Sequence, residues 1–146
     1  MLNRRNFALS LSLFGAFLWL PLAGHEAKTQ KAFSGTWEGK FKGTVFCVLK
    51  LEAGSPISGT LSPGRISVND DGDITEAEPS NSEPSGKDFP ILNPKVGDGK
   101  LSFEWKEGEA DNETMKFEMK LTNESEAELR FLGIDNPIKP IHLKKK

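Results

Sequence analysis

Residues 33–51 read FSGTWEGKFKGTVFCVLKL, and the apolar residues of this stretch recur with period two. Phe33, Trp37 and Phe41 share one parity, whereas Thr36, Glu38 and Lys40 occupy the other. Alternation of this kind is typical of a strand with one buried face. In the second half of the stretch, Phe46 and Val48 make both parities apolar. Gly43 favours a tight turn, since glycine adopts positive φ without a Cβ clash. The stretch therefore predicts two strands joined by a short turn.

The same alternation continues along most of the chain. We predict an all-β domain of about seven or eight antiparallel strands in a meander, closed as a small barrel or pressed into a sandwich. Its interior is expected to be filled by the apolar inward parity, with Trp37, Trp105 and Phe117 as structural positions. The predicted inward residues are Phe33, Trp37, Phe41, Val45, Cys47, Leu49, Leu51, Ile57, Leu61, Ile66, Val68, Leu101, Phe103, Trp105, Met115, Phe117, Met119, Leu121, Leu129, Phe131, Ile138, Ile141 and Leu143.

The alternation breaks between Asn69 and Gly99. This stretch holds four prolines, four glycines and eight acidic residues but only two lysines. Such a composition is typical of a linker, because it offers little apolar surface to bury. We predict a mobile acidic loop at about 69–99, with residues 76–87 as its most mobile part.

The last segment contains Pro137 and Pro140, each of which lacks a backbone donor. It is therefore expected to be an edge strand or an irregular cover. The tail Lys144–Lys146 is expected to be solvated.

Residues 1–27 have the organisation of a helical export signal. Arg4 and Arg5 precede an apolar run of about 16 residues, which is shorter than the roughly 20 that span a bilayer. The pair fits both an ordinary basic start and a twin-arginine motif. We expect a bacterial, extracytoplasmic (periplasmic or secreted) protein with one mature domain at 28–146, and membrane contact only if the signal stays uncleaved.

Charge and cysteine content exclude several classes of function. Without Arg4 and Arg5, 17 basic residues stand against 21 acidic ones. Nucleic acid is therefore not an expected partner, because phosphate binding requires a basic face. The single cysteine, Cys47, cannot close a disulfide within the chain. Its inward parity predicts an inert thiol.

No arrangement of residues predicts catalysis, a cofactor or a metal. The two histidines, His25 and His142, lack candidate partners in the sequence, and Ser62 precedes a proline as a turn residue does. Residues 69–73 group three carboxylates, which suits calcium, but a hairpin turn at Asp71-Gly72 explains the same residues. We therefore predict that the protein is not an enzyme.

Residues 33–39 resemble the Gly-x-Trp opening of the first strand in the lipocalin and fatty-acid-binding families, together called calycins. The resemblance implies a barrel in which Trp37 plugs one end and a small apolar ligand lies inside. Lipocalins stack an arginine from a late strand on that tryptophan, a role for which Arg130 is the candidate. The chain departs from these families, since it has no tyrosine and Gly43 leaves no room for a two-helix lid.

The mature region also resembles small secreted bacterial β modules that open with Gly-Thr-Trp-x-Gly and carry a later Gly-Lys-Leu-Ser-Phe strand, here at 99–103. That class has no established activity, so the resemblance implies a fold and no function. Two functions stay open. One is a non-catalytic module that binds a protein, glycan or surface partner, and the other is a calycin-like carrier of a small apolar ligand.

Overall fold

The computed structural model describes residues 30–80, 88–106, 113–135 and 137–146. These residues are nearly all β-structure, which confirms the predicted fold class. The predicted signal at 1–27 lies outside the described residues. A helical turn at 30–33 precedes eleven strands. They are β1 (Gly35–Phe41), β2 (Thr44–Glu52), β3 (Ser58–Pro63), β4 (Ile66–Val68), β5 (Ile74–Ala77), β6 (Phe89–Pro90), β7 (Leu92–Gly97), β8 (Lys100–Trp105), β9 (Met115–Leu121), β10 (Glu126–Leu132) and β11 (Ile141–Lys145).

Nine strands form one antiparallel sheet in the order β6-β3-β2-β1-β11-β10-β9-β8-β7. Its two edge strands, β6 and β7, are separated in the chain by Ile91 alone. The Ile91 N–H donates to the Gly59 carbonyl at 3.0 Å, so the chain leaves β3 there and then pairs with β8. The sheet is therefore a nearly closed barrel, in which β6 and β7 together serve as one bent strand. Counted in this way, the barrel has eight strands.

Closure of the barrel depends on β11, which pairs with β1 on one side and with β10 on the other. Both nearby prolines precede the strand, since β11 begins only after Pro140. Every residue of β11 therefore keeps its backbone N–H and pairing is not interrupted. The expectation of an edge strand here is wrong for this reason.

The first hairpin forms as predicted. Its turn has Lys42 at φ 49° and Gly43 at φ 83°, which is the pattern of a two-residue hairpin turn. A bulge follows, because Gly39 pairs with Cys47 whereas Lys40 pairs with Val45. The extra residue, Phe46, is buried, and Val45 is only half-buried, which reverses their predicted roles.

The core fills the barrel with apolar side chains, most of which belong to the predicted inward parity. Val68 and Met115 are exceptions, since they are 37% and 38% exposed at strand ends. The buried apolar residues are Phe33, Trp37, Phe46, Cys47, Leu49, Leu51, Ile57, Leu61, Ile91, Leu101, Phe103, Trp105, Phe117, Met119, Ala127, Leu129, Ile141 and Leu143.

The structure differs from the predicted loop at 69–99, where it places β5, β6 and β7. β5 pairs with β4 as a separate two-stranded hairpin. The alternation of β7 is hidden by Pro94 and by Asn93, whose φ of 49° marks an irregularity in the pairing with β8. Residues 81–87, where part of the mobility prediction falls, lie outside the described residues.

Candidate functional site

One end of the barrel, which we call the closed end, has short connections at 53–57, 98–99 and 122–125. Trp37 lies there and is fully buried. Its indole Nε1 donates to the backbone oxygen of Phe33 at 2.9 Å, and Phe33 is itself fully buried. The helical turn that carries Phe33 therefore plugs this end, and the polar edge of the tryptophan is satisfied within the chain.

Lys145 completes the closed end. Its backbone is paired with that of Trp37, and its Nζ lies 5.2 Å from the centre of the indole ring. This distance is within the range of a cation–π interaction. Gly35 makes room for the lysine, because a Cβ built on Gly35 would come 2.6 Å from Lys145 Cε. Gly35 also has a φ of 126°, a conformation that favours glycine.

The cation over Trp37 is thus Lys145, and the assignment of Arg130 to this role is corrected. Arg130 lies on the outer parity of β10, where its side chain is 52% exposed and its guanidinium is 3.8 Å from Glu128. Lys145 was missed because three consecutive lysines suggest a solvated tail. The alternation that buries Ile141 and Leu143 also puts Lys145 on the inward face of β11, and this pattern could have identified the residue.

The other end, which we call the loop end, carries the long connections at 64–88, 106–114 and 133–140. Trp105 lies at this end of β8 and is 5% exposed. Its ring meets that of Phe89 edge to face, with the ring centres 5.9 Å apart. The predicted positions Trp37 and Trp105 therefore occupy opposite ends of the barrel.

Trp105 has a buried indole Nε1 without a hydrogen-bond partner, the one such side-chain atom found among the described residues. An unpartnered buried donor is costly and calls for an explanation. Met115 is paired directly with Trp105 across β8 and β9 and is 38% exposed. The unsatisfied donor therefore lies beside a flexible side chain that faces solvent.

Phe117 lies between the two ends as the middle ring of a row of aromatic side chains. Its ring centre is 5.4 Å from that of Phe103 and 4.8 Å from that of Phe131. The three residues occupy neighbouring strands in register. Phe117 is 4% exposed, so its place in this structure is in the core.

The hairpin of β4 and β5 lies along the loop end and is fastened at both of its ends. At its base, the N–H of Ser80 donates to the Val45 carbonyl at 2.8 Å. At its tip, the N–H of Lys139 donates to the Gly72 carbonyl at 3.0 Å. The Lys139 ammonium also lies 2.6 Å from Asp73, and this hydrogen bond and charge raise the pKa of Lys139.

Among the described residues, Cys47 and His142, which are candidates for a nucleophile and a base, lie apart from one another. Burial raises the pKa of the Cys47 thiol to about 12, so the thiol stays protonated. His142 is exposed and its Nε2 is 3.7 Å from Glu126. The hydrogen bond from Asn123 is the main cause that lowers the pKa of Glu126, and His142 adds to it.

Ser62 differs from the turn residue that the sequence predicted. It lies in β3, is 4% exposed, and its hydroxyl donates to the Asp88 carboxylate. Lys50 lies 3.5 Å from the same carboxylate. The hydrogen bond from Ser62 and then the charge of Lys50 lower the pKa of Asp88 despite some desolvation. The group acts as a clasp that fastens the start of β6 to β3.

The acidic stretch at 69–73 forms a turn, as its alternative interpretation predicted. The Asn69 side-chain oxygen accepts hydrogen bonds from the N–H groups of Asp71 and Asp73 at 3.0 and 2.9 Å. Within the described part of the chain, no group of three or more His, Cys, Asp or Glu residues is arranged to hold a metal ion.

Comparison with known proteins gives no further assignment. No protein-family model matches the chain, and no curated protein or solved structure resembles it significantly. The chemistry of the two barrel ends is therefore the basis for a functional proposal.

Proposed function

We propose that the protein is a non-catalytic binding module that acts outside the bacterial cytoplasm and recognises its partner through the loop end. The observation that carries this proposal is the distribution of exposed apolar side chains. Across the described ranges, the large hydrophobic residues that are exposed are Val68, Met115, Leu132 and Ile134, and all of them lie at the loop end. The concentration of these residues at one end favours that end as the binding surface.

The closed end has a structural explanation of its own. Trp37 is satisfied by Phe33 and covered by Lys145, so its polar and apolar surfaces both have partners within the chain. Lys146 in turn lies 3.5 Å from Glu38. Two of the three terminal lysines therefore engage their own barrel, which leaves the loop end as the better candidate for recognition.

The extracytoplasmic location rests on the sequence of residues 1–27, with its basic start and short apolar run. In the described ranges, no helix has the length and apolar character of a membrane span.

The non-catalytic assignment is supported by the state of the candidate nucleophiles and bases. The Cys47 thiol is buried and protonated, and the Ser62 hydroxyl is committed to Asp88. A carboxylate with a lowered pKa is a weak base, so Asp88 is poorly suited to activate that serine.

Transport of a small apolar ligand is the second candidate. An eight-stranded barrel is wide enough either to be filled by side chains or to hold one small ligand. The unpartnered Nε1 of Trp105 favours this candidate, because a ligand oxygen could accept from it. Native mass spectrometry of the purified protein, with extraction of bound lipid, distinguishes a loaded carrier from an empty module.

Site-specific photo-cross-linking in the bacterium that makes the protein tests the main proposal. The photoreactive residue p-benzoylphenylalanine replaces Leu132 at the loop end or, as a matched control, the exposed Glu124 at the closed end. We expect a discrete adduct from the Leu132 position only. Equal adducts from both positions, or none from Leu132, would contradict recognition through the loop end.

A further inference from the structure

The exposed apolar residues of the loop end follow one rim of the barrel. Leu132 pairs with Lys116 on the outer face of the barrel, and Ile134 follows Leu132 by two residues. Met115, the chain neighbour of Lys116, is on the inward parity at the mouth of the barrel. Val68 belongs to the β4–β5 hairpin, whose tip docks on Lys139. We call Val68, Met115, Leu132 and Ile134 the apolar rim.

The loop end carries more acidic than basic residues. Among the described residues of 64–88, six are acidic and only Arg65 is basic. The acidic residues are Asp70, Asp71, Asp73, Glu76, Glu78 and Asp88. Glu113 precedes Met115 by two residues, and Asp135 follows Ile134 directly. The described basic residues at this end are Lys42, Arg65, Lys106, Lys116 and Lys139, so eight acidic residues minus five basic ones give a net charge of -3. This net charge favours a cationic partner.

This charge also decides between two kinds of apolar partner. Bacterial membrane surfaces are anionic, and a loop end with a net negative charge is repelled from them within a Debye length of about 8 Å at physiological salt. A polypeptide segment with basic side chains has the opposite charge, and its apolar side chains fit the rim. Charge complementarity thus selects a protein and not a lipid surface.

The unpartnered indole of Trp105 adds an independent requirement. Its Nε1 is a donor only, so whatever satisfies it must offer an acceptor. Every residue of a polypeptide carries such an acceptor in its backbone carbonyl. Met115, which is paired with Trp105, is unbranched and exposed, so its side chain can move to admit one.

We propose that the loop end docks a basic, apolar segment of another polypeptide, with a backbone carbonyl of that segment accepting from Trp105 Nε1. This inference rests on the proposed function and specifies the chemistry of the partner. The apolar rim supplies contact area, the acidic residues select the charge, and Trp105 provides a directional anchor.

The test uses the full chain and two synthetic 12-residue peptides, one of alternating lysine and leucine and one of alternating glutamate and leucine. Fluorescence anisotropy of the labelled peptides gives the dissociation constants. We expect the lysine peptide to bind and the glutamate peptide not to bind. Met115→Ser combined with Leu132→Ser is expected to weaken binding about tenfold or more. Equal binding of both peptides, or of neither, overturns the inference.

A matched pair of charge variants controls for non-specific attraction. Asp70→Asn with Asp71→Asn removes two charges at the loop end, and Asp98→Asn with Glu124→Gln removes two at the closed end. The first pair is expected to weaken binding of the lysine peptide about threefold at low salt, and the second pair to leave it unchanged. Equal losses of affinity in the two pairs would show that peptide binding depends on net charge alone, which contradicts a defined site.

The indole resonance of Trp105 tests the hydrogen bond. Trp105→Phe identifies its peak in a ¹H–¹⁵N spectrum, and we expect that peak to move downfield when the lysine peptide binds. Binding with an unmoved peak refutes the carbonyl contact. Binding to neutral lipid vesicles is the final comparison. If the protein binds these vesicles and the Met115 and Leu132 substitutions abolish that binding, the partner is a membrane and the inference of a polypeptide partner is overturned. These peptide experiments test the chemistry of the partner, whereas the cross-linking experiment tests recognition through the loop end. A failure of the peptide experiments therefore does not by itself contradict the proposed function.

Discussion

The Lys145 side chain crosses the position where Gly35 would carry a Cβ, and its ammonium group lies 5.2 Å from the centre of the Trp37 ring. The relationship gives the Gly-x-Trp pattern of β1 a physical explanation. Glycine leaves the space, tryptophan provides the aromatic face, and the last strand supplies the cation. The start of the domain and its end are thereby joined at the closed end.

A double-mutant cycle tests this relationship. Lys145→Ala is expected to lower the free energy of unfolding by about 1 kcal/mol. Gly35→Ala is expected to cost about 2 kcal/mol, because of the positive φ and the displaced lysine. Since Gly35→Ala already moves Lys145, the double variant should lose less than the sum of the two. Urea unfolding measures all three, with exposed Lys144→Ala as control, and strict additivity would contradict the contact.

The aromatic row predicts a sharp contrast between neighbours on β9. Phe117→Ala should cost about 3 to 5 kcal/mol of unfolding free energy, because it empties the space between Phe103 and Phe131. Lys116→Ala, on the exposed face, should cost under about 0.5 kcal/mol. Chemical denaturation of both variants checks this. Similar small losses at the two positions would mean that Phe117 is not a core residue.

The docked tip of the β4–β5 hairpin can be tested with two glycines of positive φ. A Cβ on Gly72 would overlap the Pro137 carbonyl oxygen, whereas a Cβ on Gly99 meets nothing within 4 Å. Gly99→Ala should therefore cost about 1 kcal/mol from backbone strain alone. Gly72→Ala should cost about 1 to 3 kcal/mol more.

Hydrogen exchange provides the second readout for these glycines. Gly72→Ala is expected to accelerate amide exchange in β4 and β5, while Gly99→Ala leaves those amides unchanged. Equal exchange in the two variants would show that the hairpin does not depend on its contact with Pro137.

The Ser62–Asp88 clasp predicts a pH-dependent contribution to stability. The hydrogen bond lowers the pKa of Asp88, so the folded state binds the proton less readily than the unfolded state. Its stabilising contribution is therefore present above the ordinary aspartate pKa and is lost as pH falls through the lower folded pKa. Ser62→Ala should destabilise by about 1 kcal/mol near pH 7, and the difference from the parent should shrink toward about pH 3. A difference that stays constant with pH would contradict the clasp.

Alternation predicted most of the barrel because its interior accepts apolar residues on one parity of each strand. Phe117 and Trp37 follow that rule directly. Phe46 does not, since its burial depends on a bulge whose position is set by pairing with β1. β7 was hidden for a related reason, because Pro94 and Asn93 interrupt its pattern while β8 still provides an edge to pair with.

The candidate site was less predictable than the fold. Trp105 and Met115 follow the same inward parity as the core residues of their strands. Because both lie at strand ends, the pattern did not predict that Trp105 would be buried with an unpartnered Nε1 or that Met115 would be exposed. Lys145 likewise needed the register of β11 against β1. These properties depend on which strand ends meet, which a single strand pattern does not specify.

We propose that the loop end binds a partner, whereas the closed end is structural. Amide chemical-shift mapping of the full chain, titrated with the lysine–leucine peptide, tests it most directly. We expect the largest shifts at residues 66–80, 113–117 and 131–139. The largest shifts at residues 35–37, 98–100 and 122–126 would contradict it.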